Sequence, residues 1–115
     1  MEIIPAIVAK DRAELEGMLG RVDGLTDLVQ IDLVDGSFAS TRTVTPEDLK
    51  QMNFSGMIEA HLMVDDPGSW ATRLEGLPVS RIAAPIESVS DVTALAKQVH
   101  QQGAEFGLGL SPETD

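Results

Sequence analysis

Five short apolar segments recur along the chain at nearly constant spacing, and this recurrence constrains the fold more than any other feature. Successive segments start 24–29 residues apart, which is the length of one strand, one helix and the loops between them. The first two segments are rich in Ile, Leu and Val, as expected for parallel strands covered on both faces. The five predicted strands are Ile3–Val8, Leu28–Val34, Met57–Val64, Arg81–Ile86 and Glu105–Leu110.

Helix signals fill the intervals between these segments. In the first interval, Leu15, Met18, Leu19 and Val22 follow the spacing of one apolar helix face. Strands that alternate with helices in this way predict βα units on a parallel sheet, here a single α/β domain over residues 1–115. The predicted helix N-caps are Asp11, Thr45 before Pro46, Asp66 before Pro67, and Ser90, and Gly103 is predicted to end the last helix.

The charge balance excludes several classes of partner. The chain has 115 residues with 8 Lys and Arg against 19 Asp and Glu, a formal net charge of −11. Such a chain repels phosphate backbones and anionic membrane surfaces, so we expect no nucleic-acid or membrane partner. The absence of cysteine excludes disulfides and thiolate chemistry. No apolar run approaches the roughly 18 residues of a membrane span, and a cytoplasmic location is expected.

Polar side chains interrupt the second and third predicted strands. Alternation puts Gln30 and Asp32 on one face of the second strand, and Glu59 and His61 on one face of the third, while Glu87 follows the fourth. All lie toward the carboxyl ends, where parallel α/β folds keep their active sites. A carboxylate with an imidazole suits Zn²⁺, Mn²⁺ or Fe²⁺, or proton transfer. A buried cluster of mutually hydrogen-bonded polar groups explains the same residues.

At these strands the sequence resembles the ribulose-phosphate 3-epimerase family, from Ile4 to Thr114. The resemblance covers the N-terminal part of that family's barrel. Asp32 with Asp35-Gly36 and the His61-Leu62-Met63 triplet are its most specific parts. The other segments that carry it are Pro5-Ala6-Ile7-Val8, the stretch from Gln30 to Phe38, Asp66-Pro67, Pro85-Ile86-Glu87, and the stretch from Gly107 to Thr114.

The resemblance implies five βα units of a (βα)₈ barrel of the isomerase class, acting on pentulose 5-phosphates. Such enzymes invert C3 through an enediolate, with two aspartates as acid and base. Two histidines and the same two aspartates hold a divalent metal. Asp32 would then be one acid/base and a metal ligand, and His61 a second ligand of Zn, Fe or Mn. Met63 and Gly36 would contact the substrate, with Gln30, Glu59 and Glu87 as supporting polar groups.

Departures from the family pattern favour a site that is incomplete. Gln30 stands where the family has its first histidine ligand, and Pro85 where it has the histidine of the fourth strand. Ala6 replaces a serine and Val34 a methionine. The second aspartate and the phosphate-binding loops belong to later strands of the family. A site with part of this motif set predicts a chain that is catalytically incomplete alone, and both a bound divalent metal, Zn, Fe or Mn, and the absence of a metal stay open.

Five strands cannot close a barrel that needs about 200 residues. They predict either an open arc with an apolar inner face that a second copy covers, or a rearranged flavodoxin-like sheet. Self-association as a homo-oligomer is therefore expected. The helix-start pattern of Ser111-Pro112, which comes just before the last residue, also favours a portion of a longer βα pattern.

Two further functions stay open. One is an active sugar-phosphate epimerase or isomerase whose site is assembled between subunits around Asp32, His61 and Glu87. The other is a flavodoxin-like module that binds a small ligand between its strand ends. Bound metal at His61 would favour the former, and a monomer with both sheet faces covered would favour the latter.

Overall fold

Strands and helices alternate along the chain, as the spacing predicts. The computed structural model describes residues 4–36, 43–52, 54–86 and 89–109. In order, the elements are β1 (Ala6–Ile7), α1 (Arg12–Val22), β2 (Leu28–Val34), α2 (Pro46–Leu49), β3 (Met57–Met63), α3 (Pro67–Arg73), β4 (Val79–Pro85), α4 (Val92–Gln101) and β5 (Glu105–Gly109).

The five strands form one parallel sheet in the sequential order β1-β2-β3-β4-β5. This is the order of consecutive strands in a barrel, and it differs from the flavodoxin-like order 2-1-3-4-5. Because each crossover between parallel strands is right-handed, an order that never reverses puts all the helices on one face of the sheet. The chain is therefore an arc of a (βα) barrel, with an outer face under the helices and an inner face without them.

Burial separates the two faces of the sheet. The outer-face residues Val29, Ile31 and Leu33 of β2 are 0% exposed and pack with Leu15 and Leu19 of α1 in one core. Each such side chain contributes about 1.5–3 kcal/mol when fully buried. The inner-face side chains of β2 and β3 from Gln30 and Glu59 onward are half-buried, except for Val34, which is 7% exposed.

The inner face is more polar than the sequence analysis expected. The register aligns Gln30, Glu59, Arg81 and Glu105 in one row across β2 to β5. Apolar side chains remain on this face on either side of the polar row, with Leu28 opposite Met57 and Val34 opposite Met63, so a polar band interrupts the expected apolar inner face. A polar band can face solvent without the cost that an apolar one would carry.

Three of the predicted helix N-caps are confirmed. The Asp11 carboxylate accepts a hydrogen bond from the Glu14 amide at 2.9 Å. Asp66 caps α3 in the same way. At α2, Thr45 and Asp48 form a reciprocal capping box, in which the Thr45 amide donates to the Asp48 carboxylate at 2.9 Å.

The predicted N-cap of α4 was wrong by one residue. Asp91, and not Ser90, caps this helix, and its Oδ1 accepts from the Ala94 amide at 3.0 Å. Both residue types are good N-caps, so the sequence alone could not separate two adjacent candidates. Gly103 follows the C-cap with φ +85°, the left-handed conformation that ends a helix, as predicted.

Strand boundaries also differ from the predicted segments. β1 is two residues long, and β4 begins at Val79 rather than at Arg81. A register shift pairs Ile58 with Val79 and Glu59 with Arg81, so that the pairing skips Ser80. The predicted starting residue Ile3 and the predicted final residue Leu110 lie outside the described residues. Across the described ranges, no helix has both the length and the apolarity needed to cross a membrane.

Candidate functional site

The candidate site lies on the inner face at the middle of the sheet. Asp32 and His61 are direct partners in the β2–β3 register, and Gln30 and Glu59 are partners one step earlier. All four side chains are half-buried. The structure thus brings together the four residues that alternation predicts to share a face, within the single strand pair β2–β3.

In this cluster, the side-chain hydrogen bonds join residues of the same strand and not residues of neighbouring strands. The Gln30 Nε2 donates to Asp32 Oδ1 at 3.3 Å, within β2. His61 Nε2 lies 2.9 Å from Glu59 Oε1, within β3. The Glu59 side chain is 13% exposed and the His61 side chain 32%. These two pairs offset the cost of half-burying polar groups inside apolar strands.

Arg81 is a member of this cluster that the sequence analysis missed. Its guanidinium lies 3.0 Å from the Glu105 carboxylate and 4.0 Å from that of Glu59. The hydrogen bond to Glu105 and the charge of Glu59 raise the pKa of Arg81 above its ordinary value. Because the fourth segment was predicted to begin at Arg81, that residue counted as a strand end rather than as an inner-face position.

The remaining predicted site residues lie at or beyond the strand ends. Met63 is the last residue of β3, half-buried and paired with Val34. Gly36 follows β2 with φ +91°, a backbone conformation that favours glycine. Glu87 lies outside the described residues. Nothing in this geometry tests the predicted substrate contacts of Met63 and Gly36.

The two loops that leave β2 and β3 are joined beside this site. The Asp35 carboxylate accepts a hydrogen bond from the Asp65 amide at 3.0 Å. Asp35 belongs to the Asp-Gly pair that carries part of the family resemblance, and Asp65 precedes the N-cap of α3. This bond fixes the rim of the site at the carboxyl ends of the two strands that bear Asp32 and His61.

The donor set on the described inner face does not fit a complete metal site. Within the described residues, no three His, Cys, Asp or Glu side chains are grouped so that they could hold a metal ion. His61 Nε2 is engaged by Glu59, and the amide nitrogen that Gln30 turns toward Asp32 is a donor rather than a ligand. Asp32 and His61 by themselves supply two of the four ligands that the family pattern implies.

A parallel sheet in sequential order, with polar side chains at the inner face near the carboxyl strand ends, is the arrangement of the (βα)-barrel fold class. Comparison with known families identifies the family within this fold class. The profile of the ribulose-phosphate 3 epimerase family matches residues 2–115. The chain belongs to that family.

Individual relatives are distant. Ribulose-phosphate 3-epimerase of Chlamydia pneumoniae is 28% identical over 91 residues, or 77% of this chain and 40% of the relative. The protein of that name from Chlamydia trachomatis serovar D is 27% identical over 90 residues, or 76% and 39%. That of Bacillus subtilis strain 168 is 22% identical over 117 residues, or 99% and 54%. The chain thus spans 39–54% of the length of these curated relatives.

Proposed function

We propose that this chain is a ribulose-phosphate 3-epimerase-like partial barrel that is catalytically incomplete by itself and associates with further copies. The observation that supports this most directly is the pairing of His61 with Glu59 at 2.9 Å, beside an amide at position 30. In this arrangement Gln30 and Asp32, which correspond to metal ligands in the family, pair with each other, and His61 pairs with the supporting carboxylate of Glu59. The polar face is then stable without the ion that the family chemistry needs.

Inversion at C3 needs one proton-transfer group on each side of an enediolate plane. Asp32 supplies one carboxylate within reach of the inner face. The neighbouring carboxylates of Glu59 and Glu105 are engaged, since Glu59 contacts His61 and Glu105 contacts Arg81. A single carboxylate can remove a proton, but it cannot return one to the opposite face of the same carbon.

The charge of the inner face also disfavours a sugar phosphate. Asp32, Glu59 and Glu105 bring three carboxylates to the described strands, against the one guanidinium of Arg81. A phosphate dianion near this row meets net negative charge unless backbone amides hold it elsewhere. We therefore expect weak binding of a pentulose 5-phosphate by the chain alone.

The test is proton exchange at C3. The purified chain is incubated with D-ribulose 5-phosphate in D₂O, with and without added Zn²⁺, Mn²⁺ or Fe²⁺, and deuterium incorporation is followed by NMR. We expect incorporation at the rate of the enzyme-free mixture. Metal-dependent exchange that Asp32→Asn abolishes, and that His100→Gln on the exposed face of α4 leaves unchanged, would overturn the proposal.

A second function is favoured by one observation, the direct register of Asp32 with His61. This pair preserves one carboxylate and one imidazole of the family site at adjacent positions. If a second subunit contributed the missing carboxylate, the assembled pair would be an active sugar-phosphate epimerase or isomerase. In the exchange experiment, this function predicts a rate that rises with the square of the chain concentration in the dilute range.

A further inference from the structure

The central strands carry a short series of side-chain contacts that ends at His61. Arg81 of β4 and Glu59 of β3 are partners in the parallel register, and Arg81 Nη1 lies 4.0 Å from Glu59 Oε1. The same carboxylate oxygen lies 2.9 Å from His61 Nε2. Because β3 lies between β2 and β4, and β4 between β3 and β5, these contacts lie inside the sheet and do not depend on what borders its edges.

Glu59 is the most buried of these three side chains. It is 13% exposed, whereas His61 is 32% exposed and Arg81 is 48% exposed. A carboxylate withdrawn this far from water needs partners for its lone pairs. The imidazole N–H of His61 is such a partner, and the guanidinium of Arg81 supplies a permanent positive charge beside it.

The contact with Glu59 determines which ring nitrogen of His61 carries the proton. An ionised carboxylate accepts hydrogen bonds and donates none, and a neutral imidazole has one donor nitrogen and one acceptor nitrogen. Since Nε2 is the nitrogen that lies 2.9 Å from Glu59 Oε1, Nε2 must be the donor. The other tautomer would set the lone pair of Nε2 against those of the carboxylate.

This tautomer decides what His61 can offer to a ligand on the inner face. With Nε2 occupied by Glu59, Nδ1 is the ring nitrogen that remains, and it accepts a hydrogen bond. Asp32, the direct register partner of His61, also carries an acceptor group, a carboxylate. A ligand that contacts the His61 ring through a hydrogen bond must therefore present a donor to it, such as a hydroxyl or an ammonium group.

We propose that Glu59 is a positioning residue that holds His61 in the Nε2–H tautomer and leaves Nδ1 as its acceptor nitrogen. The proposal rests on the proposed function in that it concerns the same polar face, and it specifies how one imidazole of that face is presented. It replaces the general supporting role expected of Glu59 by a specific one.

The tautomer of His61 can be observed directly by NMR. The chain has two histidines, and ¹⁵N spectra recorded above the ordinary imidazole pKa of about 6.5 distinguish a protonated ring nitrogen from an unprotonated one. We expect a protonated Nε2 and an unprotonated Nδ1 in His61. His100, which is exposed on α4, is the internal reference and should show the averaged signals of a ring that exchanges between tautomers.

Two variants separate the contact with Glu59 from the charge of the polar row. Glu59→Leu removes the acceptor for Nε2, so the ring signals of His61 should move toward the averaged positions seen for His100. Glu105→Gln is the matched control, because it removes the carboxylate on the other side of Arg81, two strands away from His61. It should leave the ring signals of His61 unchanged.

The wild-type spectrum alone can overturn the proposal, so the test does not depend on the folding of Glu59→Leu. A proton on Nδ1 of His61, or averaged signals like those of His100, would contradict it. Unchanged ring signals in Glu59→Leu, or an equal change in Glu105→Gln, would show that Glu59 does not hold the tautomer. No substrate is present in these spectra, so their outcome is independent of the C3 exchange that tests the proposed function.

Discussion

Arg81 of β4 and Glu105 of β5 form an ion pair across the inner face, with 3.0 Å between Nη2 and Oε2. Glu59 lies on the other side of the same guanidinium, at 4.0 Å. Within the described strands, Arg81 is the one Lys or Arg side chain. It therefore balances the carboxylates of two neighbouring strands.

Removal of this cation should destabilise the sheet modestly. We expect Arg81→Gln to lower the free energy of unfolding by about 0.5–1 kcal/mol, because Glu59 is left half-buried without a nearby guanidinium. Urea denaturation measures the change. Lys10→Gln removes an exposed cation of equal charge and should alter stability less. Equal losses in the two variants would mean that net charge, and not the contact with Glu59, is responsible.

Because one face of the sheet is buried, substitution of a buried leucine should lower the free energy of unfolding far more than substitution of an exposed leucine. Leu33, at 0% exposure, fills the interface between the sheet and the helices, whereas Leu25 is 81% exposed. Leu33→Ala should cost about 2–5 kcal/mol in unfolding free energy, because it removes buried methyl groups and leaves a cavity. Leu25→Ala should cost less than about 0.5 kcal/mol. A small loss at Leu33 would contradict the assignment of that face to the core.

The contribution of the α2 capping box to stability should be measurable, because this helix is only four residues long. Thr45→Ala removes the side-chain acceptor for the Asp48 amide and should cost about 1 kcal/mol. Thr93→Ala makes the same chemical change on the exposed surface of α4 and is expected to be nearly neutral. Thermal or urea unfolding of the two variants provides the comparison, and a similar loss in both would argue against the cap.

Glu47 and Arg73 should make stability depend on pH in the acidic range. Arg73 Nε donates to Glu47 Oε2 at 3.0 Å, and its Nη2 contacts the other carboxylate oxygen. This pairing lowers the pKa of Glu47 below its ordinary value. The stabilisation is thus fully present above the unfolded-state pKa and is lost as the pH falls through the lowered, folded-state pKa.

Because this pair is exposed, its contribution near neutral pH should be small, about 0.5 kcal/mol after screening. Unfolding free energies of wild type and Glu47→Gln should converge on acidification. In an Arg73→Gln background, Glu47→Gln should change stability little at any pH. A gap between wild type and Glu47→Gln that persists at the lowest pH would point to a cause other than this carboxylate.

Much of the fold follows from periodicity. The spacing of apolar segments predicts five βα units, and the helix N-caps at Asp11, Thr45 and Asp66 follow from local chemistry that the chain carries within four residues. Such signals are local, so tertiary structure does not need to be known to read them. The choice between Ser90 and Asp91 was the exception, because two adjacent side chains offered the same cap.

Strand order and inner-face pairing depend on register, which is not local. The position of Arg81 beside Glu59 and Glu105 follows from a register shift at Ile58 and Glu59 that no pattern in the sequence marks. Among the four predicted polar residues, the side-chain hydrogen bonds join residues of the same strand, Gln30 with Asp32 and Glu59 with His61. Alternation predicts which residues share a face, but not which of them form hydrogen bonds.

The central claim is that one face of the arc is buried and the other is open. Ala83 and Ala84 are adjacent on β4, where Ala84 is 2% exposed under the helices and Ala83 points to the inner face. NMR relaxation of the two methyl groups in the presence of a soluble gadolinium chelate measures this directly. The open arc predicts strong relaxation enhancement at Ala83 and little at Ala84. Equal protection of both methyl groups would contradict it, because the inner face would then be covered.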